Sequence, residues 1–176
     1  MGAGIEIAPG IFAREPETGD GPEALEFFNS LVDEDAMLSN NEKNTPESEE
    51  KWLVDALTKI SAGKAVVLFA FDRKGKLKAT AQAELGRGRR SHVATIGLSV
   101  SKDKRRRGIG KALLERILSD AKTKLGAKIA TLSVFEENLP ARALYSGTGF
   151  SEEGKRMGHL LYKGKYSNEI LMSKSL

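Results

Sequence analysis

Residues Leu98 to Ala112, LSVSKDKRRRGIGKA, constrain the fold more than any other stretch of the chain. An apolar strand passes through a basic run, Lys102 to Arg107, bends at Gly108 and Gly110, and becomes a helix. A strand that feeds a glycine-containing loop and a helix N-terminus makes an anion site, because the loop turns its N–H groups inward and the first helical N–H groups lack intrahelical partners. Arg105, Arg106, Arg107 and Lys111 add cationic side chains. The stretch reads as a phosphate-binding loop, and such a loop demands an α/β fold.

Its 176 residues, 40% apolar and 30% charged, suit one globular domain over 1–176 with a sizeable core. Without cysteine, disulfides, thiolate metal sites and thiol catalysis are excluded. Two histidines, His92 and His159, leave little for a metal, and none is expected. A net charge of +4 suits an anionic cofactor and does not by itself imply nucleic acid. No apolar run approaches bilayer length, and MGAGIEIAPG lacks the basic and apolar regions of a secretory signal. Met1-Gly2 alone is too little for a lipidation signal. A cytoplasmic protein with no membrane partner is expected.

Residues 4–13 read as a first strand with a break or bulge at Pro9-Gly10. Asp20 is placed to cap a helix over about 22–34, with Glu23 at the reciprocal position. Thr45 caps a second helix opened by Pro46, with Trp52, Leu53, Ala56, Leu57 and Ile60 as its buried stripe; Phe27 and Phe28 read as core. Three strands follow at hairpin spacing, 65–71, 77–85 and 92–101. The helix over 108–125 carries Ile109, Leu113 and Ile117 beside Leu114, Leu118 and Ala121, with Arg116, Asp120 and Lys124 paired on its wet side. It leads to a strand over 128–135, so that strand and the one ending at Ser101 form a right-handed parallel unit. A short helix over 138–146 and strands over 150–156 and 165–172 complete the chain.

The second half resembles the Gcn5-related N-acetyltransferase (GNAT) superfamily. That family's cofactor loop, (Gln/Arg)-x-x-Gly-x-(Gly/Ala), is matched by Arg105, Gly108 and Gly110, with Leu98-x-Val100 before it and Leu113-Leu114 after it. The family pattern Asn-x-x-Ala-x-x-Leu-Tyr-x-x-x-Gly-Phe is matched by Asn138, Ala141, Leu144, Tyr145, Gly149 and Phe150. The resemblance is firm over 92–155. It implies a mixed, mostly antiparallel sheet of six to seven strands with a central parallel βαβ crossover and about four helices. It also implies acetyl-CoA as co-substrate and a primary amine as acceptor, attacked directly in a ternary complex.

By the same resemblance, the strand before the loop splays from its parallel neighbour and the pantetheine arm fills the opening. Leu98 and Val100 are then backbone partners of that arm, with the Val100 N–H as oxyanion donor. The loop from Arg105 through Ile109 to Lys111 takes the pyrophosphate, Asn138 bonds the arm, and Tyr145 protonates the leaving thiolate. Many members carry a glutamate on the strand before the loop, whereas here 92–101 holds no carboxylate. Glu84 on the adjacent strand, His92, or a water chain are the alternatives for removing the amine proton. The loop over 37–44 and the hairpin around 158–166 would flank the acceptor.

Each residue also has a plainer reading. The basic run could be a solvated turn or a nucleic-acid patch, Tyr145 a core tyrosine, Asn138 a helix cap, Glu84 an exposed strand residue and His92 a turn histidine. Acidic residues at Glu34-Asp35 and Glu47 to Glu50 suit an amine acceptor such as a polyamine, an amino acid or a peptide N-terminus. Arg90-Ser91-His92, Asn168-Glu169 and Met172 are similar to small-molecule and ribosomal-protein-alanine members, and a homodimer is common in the family. The missing strand carboxylate keeps an acyl-CoA-binding sensor without turnover as an alternative. A nucleic-acid module is disfavoured by the modest charge and the lack of interleaved exposed aromatics.

Overall fold

A computed structural model describes residues 4–176; Met1-Gly2 lies outside them. Eight strands are formed: β1 (Ile5–Ala8), β2 (Ile11–Arg14), β3 (Ala65–Asp72), β4 (Leu77–Leu85), β5 (Val93–Val100), β6 (Ile129–Phe135), β7 (Ser151–Tyr162) and β8 (Lys165–Ser175). The helices are α1 (Gly21–Asp33), α2 (Pro46–Ser61), α3 (Ile109–Leu125) and α4 (Leu139–Gly147). All strands join one sheet in the order β1-β2-β3-β4-β5-β6-β8-β7. Only β5 and β6, joined through α3, run parallel. The sheet has eight strands rather than six or seven because Pro9-Gly10 reverses the chain instead of bulging it. Gly10 takes a φ of 73°, and its N–H donates to Glu6 Oε1 at 2.7 Å.

The sheet separates two cores by simple alternation. Val66, Leu68 and Ala70 of β3 face α3 and α4, together with Ala79, Ala81 and Ala83 of β4. Val67 and Phe69 face the other way and pack with Ala24, Phe27 and Leu31 of α1 and Ala56 of α2. Covering both faces of β3 explains its continuous apolar run.

Local signals held in part. Thr45 Oγ1 accepts from the Ser48 N–H at 3.2 Å, so α2 is capped as its sequence predicts. Asp20 does not cap α1. Its carboxylate is drawn instead into a two-pronged pair with Arg14, at 2.7 Å for each bond. Glu23 pairs with Lys76 rather than closing a capping box. Asp120 is not on a wet face: it is buried, 5% exposed, between Arg116 and Lys124 at 3.1 and 3.3 Å. Trp52 leaves the core stripe as well, 36% exposed and stacked parallel to Phe69 at 6.2 Å between centroids. Among the described residues, no helix is long and apolar enough to cross a membrane.

Candidate active site

The parallel pair is closed at only one end. β5 meets β6 at Val93↔Ile129, Ala94↔Ala130 and Thr95↔Thr131, and beyond Thr95 the two diverge. β5 nevertheless stays paired with β4 as far as Val100, and β6 with β8 as far as Phe135. The phase of the β4–β5 ladder follows from two flanking bonds, Ser101 N–H to Lys78 O at 2.8 Å and Gly86 N–H to Val93 O at 2.9 Å. Odd-numbered residues of β5 therefore bond β4, and Ile96, Leu98 and Val100 turn their N–H and C=O groups toward the gap. Val100 O is taken by Arg105 Nε, and the other groups of this half-buried stretch are open to an extended partner.

The loop at the mouth of this gap is shaped for an anion. Arg106 has a left-handed φ of 60°, and Gly108, the N-cap of α3, has a φ of 80°. α3 begins with no side-chain cap, so its first N–H groups point into the loop unsatisfied. A Cβ on Gly108 would meet nothing within 4 Å, so the space in front of it is open. Gly110 is different: a Cβ there would sit at 3.5 Å from Leu144 and Val100 side chains, an ordinary contact. Its smallness serves helix packing, and alanine fits. Ile109 is buried at 2% and offers the loop only its backbone. Arg106 and Arg107 are exposed, and Lys111 lies 3.9 Å from Glu115. Arg105 turns away from the loop, with Nε donating to Val100 O at 2.9 Å and its guanidinium paired with Glu34.

Tyr145 lies in α4 and Asn138 at its N-cap, and the Leu144 side chain of this helix packs toward Gly110. Asn138 Oδ1 caps α4 by accepting from the Ala141 N–H at 3.3 Å. Tyr145 is 8% exposed and packs edge-on against Phe150 at 5.8 Å. Burial pushes its phenol up to about 12. The one buried side-chain polar atom without a hydrogen-bond partner among the described residues is Asp120 Oδ2, which Lys124 faces as an ion pair, so the Tyr145 hydroxyl is not sealed in the core.

On the opposite face, α1, α2 and the loop between them enclose a pocket of about 440 Å³ against β3, β4 and β5. Phe27, Phe28, Leu31, Trp52 and Phe69 give it aromatic and apolar walls, and Gly97, Leu98 and Ser99 bring it to β5 beside the gap. Asn40, Asn44 and Gln82 add amides. Glu49 is the single ionisable side chain in its lining, only 4% exposed. Asn44 Nδ2 donates to Glu49 Oε2 at 2.6 Å, and Asn44 is itself clamped through its backbone by Asn29 at 2.9 and 3.0 Å. Burial pushes the Glu49 carboxyl up, and the Asn44 bond only partly offsets this.

Glu34 and Asp35 span the opening. Glu34 reaches Arg105 on the β5 side, while Tyr162 Oη, at the β7–β8 turn, donates to Asp35 O at 3.1 Å. Asp35, Arg106 and Lys163 are the non-glycine residues with positive φ among those described, and all three lie around this cleft. Such strain persists where the surroundings over-determine it, and it gathers at functional sites.

The acetyltransferase (GNAT) family model matches residues 28–150, from the pocket wall through the loop to Phe150. The chain belongs to this family. An L-amino acid N-acetyltransferase, AaaT, of Escherichia coli K12 is 33% identical over 88 residues, half of this chain and 54% of that relative's length. A GNAT-family acetyltransferase structure from Streptococcus pneumoniae superposes with a TM-score of 0.84 at 25% identity, covering 94% of this chain and 99% of that one. A phosphinothricin acetyltransferase from Sinorhizobium meliloti, solved with acetyl-CoA, shares the fold at a TM-score of 0.82 and 19% identity, covering 95% and 89%.

In this GNAT chain the residues expected from sequence do not all converge. Leu98 and Val100 line the gap, and the Leu144 side chain of α4 comes to the same place beside Gly110. Glu84 does not line the pocket. It pairs with Thr95, about 10 Å short of Leu98 along the strand, and is held at the surface by Lys59 at 3.0 Å. His92 is exposed at the closed end of β5, where its carbonyl accepts from Lys128 N–H at 2.8 Å. Glu49 was not singled out by sequence. The signal lay in its position on the Leu53, Ala56, Ile60 stripe of α2, where a carboxylate is out of place.

Proposed function

We propose that this chain transfers an acetyl group from acetyl-CoA to a primary amine by direct attack, with both substrates bound at once. The observation that carries this is the opening between β5 and β6, flanked at one end by an uncapped helix N-terminus and on one face by a largely apolar pocket. The site fits acetyl-CoA: the free space before Gly108 and the left-handed Arg106 and Gly108 suit a pyrophosphate, and the unpaired backbone of β5 suits an extended amide-bearing arm. Bound there, acetyl-CoA supplies a thioester whose carbonyl carbon takes the amine nitrogen as the C–S bond breaks.

The residues divide the remaining work. Loop N–H groups from Gly108 to Lys111, with Arg106 and Arg107, hold the phosphates. Val100 and Leu98 align the arm, with Asn138 Nδ2 free to assist from α4. The pocket meets β5 at Gly97 to Ser99, which supports the Leu98 N–H ahead of that of Val100 as donor to the thioester oxygen. Tyr145 stays protonated throughout the neutral range and gives its proton to the departing sulfur. The amine proton leaves by water toward Glu49, since β5 offers no carboxylate and Glu84 is committed to Lys59.

Two measurements test this. Acetyl-CoA at a hundred times its Kd stabilises by about 2.7 kcal/mol, which raises Tm by roughly 5–10 °C for a chain of this size; no shift at saturation removes the cofactor assignment. Tyr145→Phe loses no internal hydrogen bond, so Tm and acetyl-CoA affinity should hold while kcat for CoA release falls about 100-fold. An unchanged kcat makes Tyr145 structural.

A further inference from the structure

The pocket on the α1/α2 face carries more information than that an amine enters it. Glu49 is a buried carboxylate with no cation beside it among the described residues. Its one partner is the Asn44 amide on Oε2, and Oε1 accepts nothing. Nor is Oε1 among the sealed atoms that lack a partner, so it opens to the pocket. Buried carboxylates are ordinarily paired with a cation or a metal. Here the support is built and the cation is missing: Asn29 fixes Asn44, and Asn44 fixes Glu49.

The rest of the lining narrows the ligand further. No lysine, arginine or histidine lines the pocket, so an α-carboxylate carried in with the amine would find no counter-charge and would lie in the same apolar enclosure as Glu49. A polyamine would bring several charges to a single carboxylate. Beside Glu49 stand Trp52 and Phe69, stacked parallel, with Phe27 and Phe28, and these favour an aromatic or broad apolar body.

Building on the acetyl-transfer reading above, we propose that the acceptor is a primary amine on an aromatic-sized apolar body with no carboxylate next to the nitrogen. Glu49 is the residue that receives its ammonium group. An arylalkylamine and the N-terminus of a peptide with an aromatic first residue share this chemistry; a free amino acid does not. The pocket thus separates this chain from what the name of its Escherichia coli relative states, an L-amino acid acceptor.

Trp52 is the only tryptophan, so its fluorescence reports pocket occupancy without requiring turnover. The full chain, saturated with CoA, is titrated with 2-phenylethylamine, L-phenylalaninamide and L-phenylalanine. The first two should bind at least about tenfold more tightly than the third, and whichever of them is tighter separates a free amine from a peptide N-terminus. Glu49→Gln should erase the preference and weaken both amines by a similar factor. Equal or tighter binding of L-phenylalanine overturns the proposal, as does a preference that survives Glu49→Gln in a folded variant. The comparison of three ligands on the unaltered chain stands even if that variant does not fold. CoA release from acetyl-CoA is scored in parallel. Selective binding with no release refutes acetyl transfer and leaves the acceptor class standing; release that favours L-phenylalanine refutes the acceptor class and leaves acetyl transfer standing.

Discussion

Asp20 and Glu49 are both buried carboxylates, 7% and 4% exposed, yet they are treated in opposite ways. Asp20 lies before α1, where burial alone would raise its carboxyl. Arg14 grips both oxygens and the Glu17 N–H donates to one of them at 2.7 Å, so the net effect is a lowered pKa. Arg14 in turn lies over the Phe71 ring at 4.5 Å, so the pair is built into the end of the sheet. Glu49 has one amide and no cation, and its pKa is raised. The first is finished by the fold itself. The second is left for a ligand to finish, and a chain that keeps such a group sacrifices stability to do so.

The largest test of this contrast is Asp20→Asn. Breaking a buried pair from one side leaves Arg14 uncompensated and should cost about 3 kcal/mol, a Tm loss of roughly 10 °C seen by calorimetry. A loss under a third of that would mean Arg14 relaxes into solvent and the pair is ornamental. Glu49→Gln should act with the opposite sign, raising Tm at pH 7.5 by an amount equivalent to about 1 kcal/mol; a fall would mean that Glu49 is structurally satisfied after all.

The smallest effect is in the pH dependence. The stability from Asp20, with its folded pKa lowered, is present above the ordinary carboxylate range and is lost as pH falls through the folded value. For Glu49, with its folded pKa raised, the folded chain binds the proton more tightly, so its contribution declines as pH rises from that range. Melts over pH 3.5–7.5 should therefore show Asp20→Asn flattening the acid side and Glu49→Gln steepening the climb toward neutral, because the opposing decline is gone. Parallel curves for both variants would erase the distinction.

The two halves of the site were unequally legible. The phosphate loop is read by backbone N–H groups within one contiguous stretch, so its glycines and the helix behind them are visible at fixed spacing. The strand–helix–strand around it was equally plain, because α3 carries an uninterrupted apolar stripe. The acceptor pocket is assembled from α1, the loop between α1 and α2, α2, β3, β4 and β5, and no local spacing records that convergence. Glu49 sits among Glu47, Glu49 and Glu50, where acidic residues at a helix start need no further explanation. Arg105 matches the loop pattern, but its sequence could not reveal that Glu34, 71 residues away, takes its guanidinium.

A sheet of eight strands ordinarily has two edges, here β1 and β7. The divergence beyond Thr95 gives this one two more, facing each other in its middle. Outer edges invite other chains to stack. The inner pair opens where the β5–β6 ladder ends at Thr95↔Thr131, and its free backbone groups suit an extended segment. Phosphates alone would satisfy the loop and leave these edges bare. On the acetyl-CoA reading, the sheet is built one strand short, and the cofactor's arm is the strand that completes it.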